Sequence, residues 1–275
     1  MASAGNIIFW SMIAIIIILV GLIALIIGFG VSGNNSNTVK ASTSVGRIGD
    51  DGILQCTFTP DIKQNNIILW EKQGISGIVH LYDNGKDLLK EQNDDFTDRT
   101  ELFPTQVGTG NASLKLSDVK LEDAGTYVCT VTTSAGKASG KMDFKVGYYS
   151  EVVVTSPRDG MLLCESEAWY PQPTVSWINA TSGANLTQDA DYTPETGLDI
   201  AWMVNSELNI TRESQYTCVV KNQLAVGNAT AMVKDSGKLL TDSSLQILSA
   251  APHQYQGSHI QCLLLPILGY LLTLL

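Results

Sequence analysis

Asp123-Ala124-Gly125-Thr126-Tyr127-Val128-Cys129 carries a tyrosine two residues before a cysteine, and the same alternation runs on to Val131. Tyr127, Cys129 and Val131 therefore share one face of a strand, with Val128 on the other. Upstream the period of two recurs. Leu54, Cys56 and Phe58 alternate with Ile53, Gln55 and Thr57, followed by Ile68 with Trp70 and then Leu114 with Leu116. Turn residues separate these runs: Asp83-Asn84-Gly85, Val107-Gly108-Thr109-Gly110 and Ser134-Ala135-Gly136. Short, regularly spaced strands without a useful length of helical period specify a β-sandwich.

Cys56, a tryptophan 14 residues on at Trp70, and Tyr127 two before Cys129 form the pin of an immunoglobulin-like sandwich. In that arrangement the tryptophan packs on the inter-sheet disulfide, and the tyrosine hydroxyl bonds back to the turn before it. The 72 residues between the cysteines leave room for the extra strands of a variable-type domain. Arg99 is placed to pair with Asp123. After a short junction at Gly147–Ser150 the theme repeats with Cys164, Trp177, Tyr216 and Cys218, and 53 intervening residues suit a constant-type sandwich. Trp169-Tyr170-Pro171-Gln172-Pro173 occupies the place of an aromatic–proline turn. The fold class is all-β: two tandem immunoglobulin-like β-sandwiches, variable-type then constant-type, with apolar segments at both chain ends. All of these pin residues read as architecture.

The cysteines support long-range disulfides, because the four at 56, 129, 164 and 218 show no Cys-x-x-Cys and no nearby histidine. Such bonds imply an oxidising compartment. The net charge of −10 lacks the basic footprint that nucleic-acid binding requires. The three histidines, His80, His253 and His259, belong to no acid pair, metal spacing or nucleophile signature. His80 reads as a surface residue on a strand. The expectation is a protein without catalysis, cofactor, metal or small-molecule substrate.

The ends define targeting. Residues 1–33 read as a signal peptide or an uncleaved signal anchor, since Ile7–Phe29 is nearly unbroken apolar sequence. Cleavage within Ala24–Gly33 is the favoured reading. Residues 34–146 form the variable-type domain, 147–233 the constant-type domain and 234–259 a membrane-proximal stalk without a clear period. Residues 260–275 form an apolar tail beginning near Cys262. A small-residue triplet at Ser249-Ala250-Ala251, a polar spacer and a terminal apolar run match a GPI-attachment signal, with Ser249 as the acceptor. The alternative is a short transmembrane helix carrying Pro266 and Gly269. Both place the chain on the extracellular side of the cell membrane, with essentially no cytoplasmic segment.

Six Asn-x-Ser/Thr acceptors stand at Asn34, Asn111, Asn179, Asn185, Asn209 and Asn228. Asn209 faces solvent if Leu208 and Ile210 point inward. With Trp70 and Cys129 inward, Ile67, Leu69 and Val128 point outward on one sheet and form a candidate partner-binding patch. The competing reading is scattered surface apolar residues, or packing against a loop. The hairpin around Thr132 and Ser134 is a second candidate contact.

Ile15–Leu19, Asp51–Phe58, Gly110–Leu116 and Trp169–Val175 together resemble the butyrophilin-like T-cell costimulatory and coinhibitory ligands of the immunoglobulin superfamily. The resemblance runs from the N-terminus to about residue 233 and is most specific in the first domain. It implies an inhibitory ligand on antigen-presenting or epithelial cells. Such a ligand engages a receptor protein on T cells and restrains their proliferation and cytokine output. A homophilic or heterophilic adhesion protein is the alternative. A signalling receptor is disfavoured, because it would need residues inside the cell.

Overall fold

A computed structural model describes residues 4–30, 38–60, 66–192, 195–197, 200–211, 214–234 and 238–249. Asn34, His253, His259, Cys262 and the apolar tail lie outside them. α1 (Ala4–Gly30) is a 27-residue helix with no acidic residue in its first turn and no basic residue in its last. Phe9, Trp10 and Ile15–Val20 stand exposed on it. Among the described residues no helix is long and apolar enough to cross a membrane.

The first sandwich contains β1 (Val39–Ser42), β2 (Ser44–Arg47), β3 (Gly52–Phe58), β4 (Ile67–Lys72) and β5 (His80–Asp83). It continues with β6 (Lys86–Asp87), β7 (Thr100–Glu101), β8 (Leu114–Leu116), β9 (Gly125–Thr133) and β10 (Gly136–Gly147). One sheet runs β1-β3-β8-β7 and the other, the front sheet, β2-β10-β9-β4-β5-β6. Period-two burial is strict where the chain crosses the core, as in β3, where Leu54, Cys56 and Phe58 are buried and Ile53, Gln55 and Thr57 exposed. β5 and β6 are the additional strands on the Trp70 side. A tight turn joins them at Asn84 and Gly85, with φ of 46° and 93°. Two successive positive φ values suit the right-handed twist of a two-residue hairpin.

The second sandwich contains β11 (Val153–Thr155), β12 (Met161–Trp169), β13 (Thr174–Asn179), β14 (Ala190–Tyr192) and β15 (Glu195–Thr196). It is completed by β16 (Trp202–Asn209), β17 (Gln215–Lys221), β18 (Ala225–Val233) and β19 (Leu239–Ile247). Its sheets run β11-β12-β16-β14, with β15 also on β16, and β13-β17-β18-β19. The stretch read as a stalk without period thus contributes a nine-residue strand, paired antiparallel to β18 along its whole length. Its sequence hides this, because only Leu239 and Leu245 pack on the core.

The domains meet closely at Gly147. A Cβ there would lie 2.1 Å from the Tyr170 carbonyl oxygen, so only glycine permits the approach. Arg47 Nε donates to the Tyr149 carbonyl at 3.0 Å, and within the second domain Asn222 Nδ2 donates to the Pro171 carbonyl at 3.1 Å. Val45 of the first domain packs against the second core.

Candidate partner-binding face

The face is held from behind. Cys56 and Cys129 are bonded across the first sandwich, with S–S at 2.06 Å, and Cys164 with Cys218 across the second at 2.02 Å. Trp70 is fully buried, and its indole N–H donates to the Ala112 carbonyl at 2.9 Å. Tyr127 Oη donates to the Asp123 carbonyl at 2.7 Å, closing the turn beneath β9. Burial, seconded by the Asp123 charge, pushes the Tyr127 phenol well above the usual tyrosine range.

Arg99 and Asp123 form a bidentate pair whose side chains are only 12% and 4% exposed. Arg99 also donates to the carbonyls of Asp95, Ser117 and Asp118, and Asp123 accepts the Lys120 backbone N–H at 2.8 Å. A buried pair endures when its remaining donors and acceptors are satisfied, and here they are. Lys72 reaches the Glu122 carbonyl while its ammonium sits 5.7 Å from the Tyr127 ring centroid. Partial burial lowers the Lys72 pKa.

In front, the register aligns outward side chains. Ile67 pairs across β4 and β9 with Thr132, Leu69 with Thr130, and Glu71 with Val128. On the other flank Leu69 pairs with Leu81 and Ile67 with Asp83. The Leu88 N–H donates to the Leu81 carbonyl at 2.8 Å, which continues the row to the sheet's edge. Ile67 is 37% exposed, while Leu69, Leu81, Val128 and Thr132 are half-buried among their neighbours. Lys137 and Lys141 flank the patch from β10, opposite Thr132 and Val128. Ser134 lies at the exposed tip of the β9–β10 hairpin, beyond Thr132. Leu81 and Leu88 belong to this row but were absent from the sequence-based patch. Alternation outward from Trp70 stops at the turn before β5, so their face becomes visible only with the pairing.

The expectation that His80 lies on the surface is wrong. His80 is fully buried between the sheets, with Nδ1 2.9 Å from Thr100 Oγ1 and Nε2 3.1 Å from Asp87 Oδ1. Gln92 Nε2 donates to the same Thr100 hydroxyl at 2.8 Å. Burial lowers the His80 pKa, against the opposing pull of Asp87.

In the second sandwich the indole N–H of Trp177 donates to Ser206 Oγ at 3.0 Å, and that of Trp169 to Ser166 Oγ at 2.8 Å. Tyr216 Oη donates to the Thr211 carbonyl at 3.2 Å. Asn185 and Asn209 are exposed, and Asn111, Asn179 and Asn228 half-buried. Asn111 stands beside Thr57 on the sheet away from the patch, and the other four lie in the second domain. None of these described acceptors stands on the front sheet of the first domain. Ser249 is exposed, at the end of the described chain. No group of three or more metal-ligating side chains occurs among the described residues.

Two disulfide-pinned sandwiches, the first with added front-sheet strands, define a variable-plus-constant immunoglobulin-superfamily protein. Residues 39–147 match the immunoglobulin V-set domain, and residues 147–228 the Ig-C domain described as butyrophilin subfamily 3 member A2-like. The mouse protein called V-set domain containing T-cell activation inhibitor 1 is 45% identical over 259 residues, which cover 92% of this chain and 91% of that protein. Its human counterpart is 43% identical over 281 residues, covering 99% of each. The chain belongs to the family of these V-set domain-containing T-cell activation inhibitors. The crystal structure of the human B7-H4 IgV-like domain is 50% identical, covers 42% of this chain and all of its own, and gives a TM-score of 0.41.

Proposed function

We propose that the protein is a cell-surface coinhibitory ligand that binds a receptor protein on T cells through the front sheet of its variable-type domain. Binding restrains T-cell activation, proliferation and cytokine production. The observation that carries this reading is the outward row of Ile67, Leu69, Leu81 and Leu88, joined by Val128, on a sheet that bears no described glycan acceptor. An apolar face left clear of glycans suits a protein partner. The names of the family's mouse and human members, T-cell activation inhibitors, support the sign of the effect.

The apolar helix α1 supports entry into the secretory pathway, as signal or signal anchor. The C-terminal pattern from Ser249 supports a membrane anchor, of the GPI type in the favoured reading. N-glycans are carried at the exposed sequons, Asn185 and Asn209 first. The test is plate-bound ectodomain added to activated T cells. Reduced division is expected; unchanged division with well-folded ectodomain removes the reading. Aggregation of beads coated with ectodomain alone would point to homophilic adhesion instead.

A further inference from the structure

β19 turns the chain back on itself. β18 begins at Ala225, next to Leu224, where the domains meet: Leu224 lies against Gly147 at the end of β10. It ends at Val233, at the far end of the second sandwich. β19 pairs from Val233–Leu239 back to Ala225–Ile247, and the Leu248 N–H then donates to the Leu224 carbonyl at 2.7 Å. Ser249 therefore leaves the fold beside the variable-type domain. A chain continuing straight from β18 would leave about 27 Å away, at roughly 3.4 Å per residue.

The strand is lightly held. Seven of its nine residues are exposed, and only Leu239 and Leu245 touch the core. The buried face of β18 that it borders is made of small residues: Ala225, Gly227, Ala229 and Ala231, ending at Val233. Pairing is thus chiefly between backbones, and few apolar contacts hold the strand. Edge segments of this kind open locally at low free energy while the sandwich persists.

We propose that β19 is a releasable strap that sets how far the variable-type domain stands from the membrane. The proposal rests on the C-terminal anchor proposed above. With the strap paired, the proposed attachment residue Ser249 follows Leu248 directly, so the anchor stands at the domain junction. Released, the chain between Val233 and Ser249 becomes a tether that spans up to about 55 Å. The paired form keeps the T-cell-facing domain near its own membrane, and the released form presents it across a wider intercellular gap.

The test uses the full-length chain on cells, with a donor fluorophore on the first domain and an acceptor dye in the membrane. A locked form, Val226→Cys with Gln246→Cys, ties the end of β19 to β18 at a directly paired position. A released form, Leu239→Asp with Leu245→Asp, removes the strand's apolar contacts. The released form is expected to stand higher by an amount on the order of 30 Å, the length of the strand. Equal heights overturn the proposal. In the wild-type chain, amides of Leu239–Ile247 are expected to exchange at least 100-fold faster than those of Gln215–Lys221, and equal protection overturns the proposal as well. Truncation after Ser249 separates the two readings, because a truncated chain that stays on the cell sinks the anchor without touching the exchange result.

Discussion

The two sandwiches hold the same cysteine–tryptophan–tyrosine pin by different means. In the first, the tyrosine turn rests on the buried Arg99–Asp123 pair, and the Tyr127 ring lies edge-on between Phe96 and Phe144, at centroid distances of 6.3 and 6.2 Å. A buried imidazole, His80, ties β5 to β7 and β6. In the second, the tryptophans are anchored by serine hydroxyls and the Tyr216 turn by Thr211. One architecture therefore contains a domain that depends on buried charge and one that depends on neutral hydrogen bonds. Charged groups lose much when a single partner is removed or a proton added, whereas neutral hydrogen bonds lose about 1 kcal/mol. The first domain should be the more fragile under such changes, and it is the one carrying the candidate binding face.

The disulfides provide the baseline, because here the domains should behave alike. They close loops of 73 and 54 residues, and chain entropy puts each at about 4 kcal/mol. Replacing Cys56 with Cys129, or Cys164 with Cys218, by alanine pairs should lower the stability of the affected domain by similar amounts in urea titration. A large inequality would mean that the difference between the domains lies in their hydrophobic cores, not in the polar supports. Below that comes Asp123→Ala, which leaves Arg99 buried without its carboxylate and should cost the first domain about 3 kcal/mol. Tyr216→Phe, the nearest neutral counterpart in the second, should cost about 1 kcal/mol. Equal costs would break the contrast.

Acid sharpens it further. Burial holds the folded-state pKa of His80 below its ordinary value, so between the two values the unfolded chain binds the proton and the folded domain resists it. Stability is therefore full above about pH 6.5 and falls as the pH drops towards the folded value. The slope cannot exceed about 1.4 kcal/mol per pH unit, the limit for one proton. The second domain has no histidine among its described residues and should show no such slope in this window. Urea midpoints of each domain between pH 7.5 and 5 measure the difference, and His80→Gln should flatten the first domain's profile.

The sandwich class and the cysteine pairing were legible because both are written in local offsets. A buried strand declares itself within six residues, and the position of a tyrosine two before a cysteine needs no knowledge of distant chain. His80 was illegible for the opposite reason. A histidine reads as surface until Asp87 and Thr100 are known to bond its two ring nitrogens, with Gln92 bonded to that threonine in turn, and the three come from separate segments. β19 was hidden because Leu-Leu-Thr-Asp-Ser-Ser-Leu alternates with nothing; its backbone pairs, while its side chains stay in solvent. The candidate patch was partly legible. Period two names the outward face of β4 and β9, but the shading of Leu69 and Val128, and the continuation to Leu81, depend on which strands flank them.

The last contrast concerns outward faces, where effects on stability should be smallest and effects on binding should separate the domains. Both sandwiches expose apolar side chains: Ile67 beside Leu69 and Val128 in the first, Val153 at 52% and Met203 at 37% in the second. Scattered exposed apolar residues are ordinary, so exposure alone does not mark a binding face. What distinguishes the first set is its continuity across four strands, from β9 to Leu88 at the β6 edge. Leu69→Asp with Val128→Asp should change folding stability by less than about 1 kcal/mol, since neither side chain is in the core. It should weaken T-cell binding at least tenfold, the effect of losing about 1.4 kcal/mol at an interface centre. Val153→Asp with Met203→Asp, the matched pair in the second domain, should leave binding within twofold. Flow cytometry with labelled ectodomains on activated T cells reads both. If the second-domain pair abolished binding and the first-domain pair did not, the receptor would be meeting the constant-type sandwich, and the front sheet would be only its spacer.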